Sequence, residues 1–144
     1  MDKYDALKLE NQLCFPLYAA AKEIVRKYKP ILDELDLTYT QYIAMMVLWE
    51  NEEISVKELG EKLYLDSGTL TPLLKSMEKK GYVSRKRLST DERVLVIGLT
   101  EEGKALRDKA LFVPQKVVSS CIALSPEEAA LLYKLLYKIL GEEK

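Results

Sequence analysis

The sequence predicts a mainly α-helical chain with one small β-hairpin, and three observations between Ser55 and Gly103 predict it. Two short segments of helical periodicity follow one another, with Val56, Leu59 and Leu63 on one face of the first and Leu70, Leu73, Leu74 and Met77 on one face of the second. Two segments rich in β-branched and aromatic residues come next, Tyr82 to Leu88 and Arg93 to Leu99. A polar turn, Ser89-Thr90-Asp91-Glu92, joins them. Helix, helix and hairpin in that order make a winged helix-turn-helix.

Taken in order, residues 1–12 are polar and at most partly helical. A long helix is expected from Leu13 to Leu35. Its apolar positions, among them Leu17, Ala21, Ile24, Val25, Tyr28, Ile31 and Leu32, are too many for one stripe, so it needs two neighbours, and the second is expected to be another copy of the chain. Proline is tolerated in a first helical turn, which makes Pro16 compatible with a start near Cys14. Thr38 and Gln41 have capping-box spacing and open a helix to about Asn51. Ser55 and Glu58 repeat that spacing, and Asp66 or Ser67 caps the second helix of the motif. Pro72 is expected to disturb that helix locally without ending it. Gly81 suits its C-terminal cap. Thr100 caps a helix through Leu106 and Leu111 to about Ser120, with a kink at Pro114. Ser125, Pro126 and Glu128 start the last helix, whose apolar residues Leu131, Leu132, Leu135, Leu136, Ile139 and Leu140 exceed what a monomer surface needs. One domain of 144 residues follows, with the winged part at about 38–100 between dimerisation parts at about 5–35 and 101–144.

Composition narrows the function. The chain carries a net charge of -1, which argues against indiscriminate coating of nucleic acid. Between Lys75 and Arg93, however, Lys75, Lys79, Lys80, Arg85, Lys86, Arg87 and Arg93 outnumber Glu78, Asp91 and Glu92. That distribution fits a protein that meets double-stranded DNA with one face. Histidine is absent, which removes Ser-His-Asp and Cys-His catalysis and the histidine-based zinc motifs. No cofactor and no metal are called for, and two distant cysteines do not suggest a permanent disulfide. No apolar run reaches the roughly 20 residues of a membrane span, and the N-terminus is too polar for a signal peptide, so a cytoplasmic protein with no membrane partner is expected.

The outward face of the second motif helix collects Gly68, Thr71, Pro72, Lys75, Ser76 and Lys79. Small, hydroxylated and basic groups suit a major groove, where hydroxyls reach base edges and lysines pair with phosphates. The hairpin places Arg85, Lys86, Arg87 and Arg93 near its tip, and an arginine there has a target in a narrow minor groove. A two-fold pair of such heads reads a pseudo-palindromic operator with half-sites about one helical turn apart. Cys14, at a helix N-terminus, has two readings: a thiolate favoured by the helix dipole and free N–H groups, or a small buried hydrophobe. Tyr18 is one turn on and can share its face. Tyr28 lies fourteen residues on, about 21 Å along a straight helix, so a cysteine that meets it belongs to a partner chain. Tyr28 and Tyr39 also read as plain interface aromatics.

Together, LENQLCFPLY, YKPILDELDLTYTQY, LYLDSGTLTPLLK and STDERVLVIGLTEEG resemble the MarR family of winged-helix repressors, and most of all its organic hydroperoxide sensors, OhrR. The match runs from about Leu9 to about Val118. The resemblance implies a homodimer in which Cys14 is the peroxide-reactive cysteine and Tyr28 and Tyr39 of the other subunit hydrogen-bond its thiolate. It implies that Gly68, Thr69, Thr71 and Lys75 face the major groove, that Arg93 enters the minor groove, and that Ser67, Arg85, Arg87 and Asp91 belong to the same DNA surface. Relatives often carry a second basic residue where this chain has Ser76. Organic hydroperoxide would oxidise Cys14 to a sulfenic acid, a thiol would condense with it, and the operator would be released. That thiol is either Cys121 of the partner or a low-molecular-weight thiol. Two rival readings keep the fold in doubt of nothing but change the signal or the chemistry: a repressor that senses a small phenolic ligand without redox chemistry, and a thiol peroxidase acting through Cys14.

Overall fold

The computed structural model describes residues 2–144. Two 3-10 turns, Asp5–Leu7 and Leu9–Asn11, precede α1 (Cys14–Asp33), and α2 (Tyr39–Asn51) follows after a short turn. Next come β1 (Glu53–Ser55), α3 (Val56–Leu63), α4 (Ser67–Lys79), β2 (Val83–Leu88) and β3 (Asp91–Leu99). The chain ends with α5 (Glu101–Lys109), α6 (Val113–Ser120) and α7 (Pro126–Ile139). This is a mainly α winged helix-turn-helix with a small antiparallel sheet.

Local chemistry explains most boundaries. Thr38 and Gln41 form the reciprocal capping box at α2, as Ser125 and Glu128 do at α7. Ser55 accepts the Glu58 N–H, but the reciprocal bond expected there is not formed, so α3 has a single cap bond. Asp66, not Ser67, caps α4 through a 2.8 Å bond from the Thr69 N–H. α3 ends where Tyr64 turns left-handed at φ 57°. α4 ends in a Schellman arrangement: Tyr82 N–H bonds the Met77 carbonyl, Gly81 N–H bonds the Glu78 carbonyl, and Gly81 takes φ 85°.

The structure corrects the sequence reading in three elements. The sheet has three strands in the order β1-β3-β2, and β1 is a strand that periodicity misses because it is three residues long. The wing turn is shorter than expected, since Asp91 and Glu92 already belong to β3. The helix expected to kink at Pro114 is two helices, parted at Ala110–Phe112, with Pro114 in the first turn of α6, where its missing N–H costs nothing. Pro30 lies inside α1, so the Arg26 carbonyl lacks its usual helical donor. Pro72 lies inside α4, which runs through it unbroken.

One hydrophobic core joins α2, α3, α4 and the sheet, with Leu48, Leu59, Leu74, Met77 and Ile97 fully buried in it. Each such side chain contributes roughly 1.5–3 kcal/mol. Val113, Val117 and Cys121 carry α6 onto the C-terminal end of α1 at Ile31 and Leu32. Gly103 seats α5 against the base of the wing: a Cβ there would lie 2.2 Å from the Tyr82 carbonyl oxygen, so only glycine fits.

Candidate functional site

α4 turns Leu70, Leu73, Leu74 and Met77 inward, which leaves Ser67, Gly68, Thr69, Thr71 and Lys75 exposed on its outer face. The Thr71 hydroxyl donates to the Ser67 carbonyl at 2.9 Å, so its oxygen faces outward as an acceptor. Asp66 keeps its carboxyl below the usual range because the Thr69 N–H bonds it, and an anion at this helix start is favourable. Ser76 does not belong to this face. It is half-buried, accepts from Gln41 Nε2 at 2.8 Å and donates to the Leu73 carbonyl at 2.6 Å.

The wing divides its arginines. A register shift between Arg87 and Leu88 places Leu88 opposite Asp91 while Arg87 stands opposite Leu95, so β3 carries extra residues at the tip. Arg93 is among these, with its side chain 91% exposed and held by Asp91 at 3.1 Å. The Arg93 guanidinium keeps the Asp91 carboxyl below its ordinary range. Arg87 is exposed on the outgoing strand. Arg85 is not near the tip: it pairs with Ile97 across the sheet, and its guanidinium makes 3.0 and 3.3 Å bonds to Glu78 on α4. That ion pair ties the wing to the helix and takes up two of the five guanidinium donors. Lys86 is likewise paired with Glu53 on β1 at 3.0 Å.

Cys14 is the first residue of α1 and is exposed. Tyr28 lies on the same continuous helix, so the roughly 21 Å separation holds within one chain. Tyr28 and Tyr39 meet edge to face with ring centroids 4.8 Å apart, and Tyr42 lies 6.0 Å from Tyr28. Burial, followed by the neighbouring Tyr39, Tyr42 and Cys121, pushes the Tyr28 hydroxyl up to about 12. Burial raises Tyr39 as well. Cys121 is buried at the end of α6, where its thiol contacts the Lys27 carbonyl at 3.7 Å and its own carbonyl accepts from Lys27 Nζ at 3.5 Å. The chain thus brings together Tyr28, Tyr39, Tyr42 and Cys121 and leaves Cys14 apart from them. Sequence reasoning missed Tyr42, although its place three residues after Tyr39 on one helix face was a signal.

Two stretches of surface are apolar. Leu13 at the cap of α1 and Phe15, Leu17 and Tyr18 in its first turns are exposed, as are Leu131, Leu132, Leu135 and Ile139 on α7, a helix with no buried residue. No group of three or more metal-ligating side chains occurs among the described residues, and none of the described helices is long and apolar enough to cross a membrane.

A family profile described as transcriptional regulator SarA/Rot matches residues 26–110. The organic hydroperoxide resistance transcriptional regulator of Bacillus subtilis is 50% identical over 139 residues, covering 96% of this chain and 94% of that protein. The chain belongs to the MarR family of winged-helix transcriptional regulators, in its organic hydroperoxide sensor group. Solved structures agree with this placement. Reduced AbfR bound to DNA matches the MarR-family chain with a TM-score of 0.78 at 33% identity, covering 97% of each chain, and AbfR of Staphylococcus epidermidis is also known in a disulfide-formed state. A variant of Escherichia coli MarR in complex with operator DNA matches with a TM-score of 0.82 at 25% identity, covering 97% of this chain and 99% of that one.

Proposed function

We propose that this chain is a homodimeric repressor that binds a pseudo-palindromic operator when reduced and leaves it when an organic hydroperoxide oxidises Cys14. The observation that carries the reading is the arrangement of the thiol site. Tyr28, far along α1 from its own Cys14, and Tyr39 at the start of α2 form a half-buried pair, and the exposed apolar turns of α1 and α7 offer the surface on which a second copy would bring its Cys14 to them. The whole chain acts as one unit, reading DNA through about 38–100 and pairing through about 5–35 and 101–144.

In the reduced dimer, Ser67, Gly68, Thr69, Thr71 and Lys75 meet the major groove. Arg93, aimed by Asp91, enters the minor groove beside the wing, with Arg87 on the phosphates. The tyrosine hydroxyls of one subunit donate hydrogen bonds to the Cys14 thiolate of the other, which favours the nucleophilic form. The thiolate sulfur attacks the terminal oxygen of the hydroperoxide, the O–O bond breaks, the other oxygen leaves with the proton as the alcohol, and the Cys14 sulfenate takes up a proton from water to become a sulfenic acid. A thiol then displaces water from the sulfenate sulfur to give a disulfide. The Cys121 thiol contacts the carbonyl of Lys27, the residue before Tyr28, so a partner Cys14 that reaches Tyr28 arrives at the stretch of α1 on which a candidate resolving thiol packs. The resolving thiol is either Cys121 of the partner or a low-molecular-weight thiol, and the known disulfide-formed state of AbfR supports a disulfide as the end of the step. Condensation with Cys121 draws it out of its packing against α1, which changes the spacing of the two heads and hence the fit to fixed half-sites. The chemistry is a switch and not a turnover, because each subunit consumes one peroxide and then stops.

Gel shift on operator DNA with and without cumene hydroperoxide tests the reading. Wild type is released and Cys14→Ser stays bound; release of Cys14→Ser overturns it. Non-reducing electrophoresis of Cys121→Ser separates the resolving thiols, since loss of a covalent dimer assigns Cys121 and its persistence removes it.

A further inference from the structure

We propose that Gln41 is a positioning residue that carries the state of the thiol site to the recognition helix α4, an inference that rests on the redox reading above. Gln41 is the one buried polar side chain among the described residues, 4% exposed, and it stands two residues from Tyr39 in the first turn of α2. Its oxygen accepts the Thr38 N–H at 3.0 Å, which completes the cap, and also accepts from Lys80 Nζ at 2.9 Å. Its nitrogen donates to Ser76 Oγ at 2.8 Å. Lys80 Nζ donates in turn to the Asp36 carbonyl at 2.6 Å, in the turn between α1 and α2.

A cap needs only the side-chain oxygen. The bonds to Ser76 and Lys80 span 35 and 39 residues and tie the first turn of α2 to the C-terminal third of α4. Apolar contacts alone would let two helices slide, whereas a satisfied buried network holds one arrangement and is costly to leave half-made. Tyr39 and Gln41 share one helical turn, so a displacement of Tyr39 out of its contact with Tyr28 moves Gln41 with it. Ser76 and Lys80 then follow, and α4 turns with the corner of α1 and α2. The same network explains why Ser76 is drawn inward from a face that otherwise meets DNA.

Coupling between two sites is the ratio of two affinities, which a purely structural role leaves unchanged. The test compares operator Kd for reduced and cumene hydroperoxide-treated protein in wild type, Ser76→Ala, Gln41→Met and Cys14→Ser, with thermal unfolding as a check on the fold. Ser76→Ala removes one of the two cross-helix bonds and leaves the cap and the Lys80 bond; Gln41→Met keeps volume and removes the cap bond and both cross-helix bonds. The expected result is reduced-state binding within about twofold of wild type and an oxidised-to-reduced Kd ratio at least about fivefold smaller in both variants. A ratio equal to wild type in Gln41→Met, whatever its absolute affinity, overturns the relay. Hydrogen exchange on wild type gives an independent reading: amides of Tyr39–Tyr42 and of Ser76–Lys80 change together on oxidation, and a change confined to α2 overturns it too. Peroxide release that persists in Cys14→Ser takes down the redox reading itself, and is told apart because it does not depend on Gln41 or Ser76.

Discussion

α4 and α7 are helices of similar length with similar leucine content, yet α4 sinks four apolar side chains into its own chain and α7 sinks none. Leu74 and Met77 are at most 1% exposed, whereas Leu135 is 47% and Ile139 65% exposed. The reading head is complete within one chain. The flanking helices are not, and α1 passes from one condition to the other, with Cys14 on its unburied turns and Ile31 and Leu32 in the core. The difference teaches where a sensor can act: in the head a disturbance meets a packed core, while in the flanks it meets apolar side chains that the chain itself leaves uncovered.

Substitutions should separate the two regions, beginning with the largest effect. Met77→Ala opens a cavity in the packed half and is expected to cost about 3 kcal/mol in chemical denaturation; a cost under about 1 kcal/mol would mean the head is not the rigid partner. Leu132→Glu with Leu135→Glu in α7 should leave the circular dichroism of the head intact, produce a monomer in sedimentation, and weaken operator binding about 100-fold, or ~2.7 kcal/mol. Unchanged sedimentation would remove α7 from the interface. Arg93→Ala at the wing is expected to weaken binding about tenfold and to lower the salt slope by about 1, since it removes one contact in a groove. Arg85→Ala acts differently, through the lost Glu78 pair, and should loosen the wing without that salt signature.

The smallest effect concerns Tyr28. Its hydroxyl is raised to about 12, above the ordinary tyrosine value of 10.0, chiefly by burial. The unfolded chain therefore loses this proton first as pH rises. The contribution to stability is whole below about pH 10 and is lost as pH climbs through about 12. Ultraviolet titration of wild type against Tyr28→Phe should show one phenol missing near pH 12, and a phenol missing near pH 10 would place Tyr28 outside the half-buried pair.

The helix order, the caps at Thr38, Asp66 and Ser125, and the outer face of α4 were legible because each rests on spacing within a few residues. What was not legible depends on partners far along the chain. Ser76 falls on the outer face by angle, but Gln41 claims its hydroxyl. Arg85 lies in a basic run that points to the tip, but sheet register puts it within reach of Glu78. The approach of Cys121 to Lys27, next to Tyr28, comes from α6 packing on α1 across 94 residues, for which local periodicity holds no signal. The parting of α5 from α6 was partly visible in Pro114, which marks a helix start as readily as a bend.

The seat of Gly103 against the Tyr82 carbonyl leaves no room for sliding between α5 and the base of the wing, and Trp49 Nε1 bonds the Gly103 carbonyl at 2.9 Å on the other side. α5 therefore travels with the head as a bracket. Beyond this bracket the chain turns at Ala110–Phe112 and α6 packs back into the core that holds Ile31 and Leu32, so α1 is tied to the wing by two routes, the corner with α2 and the bracket.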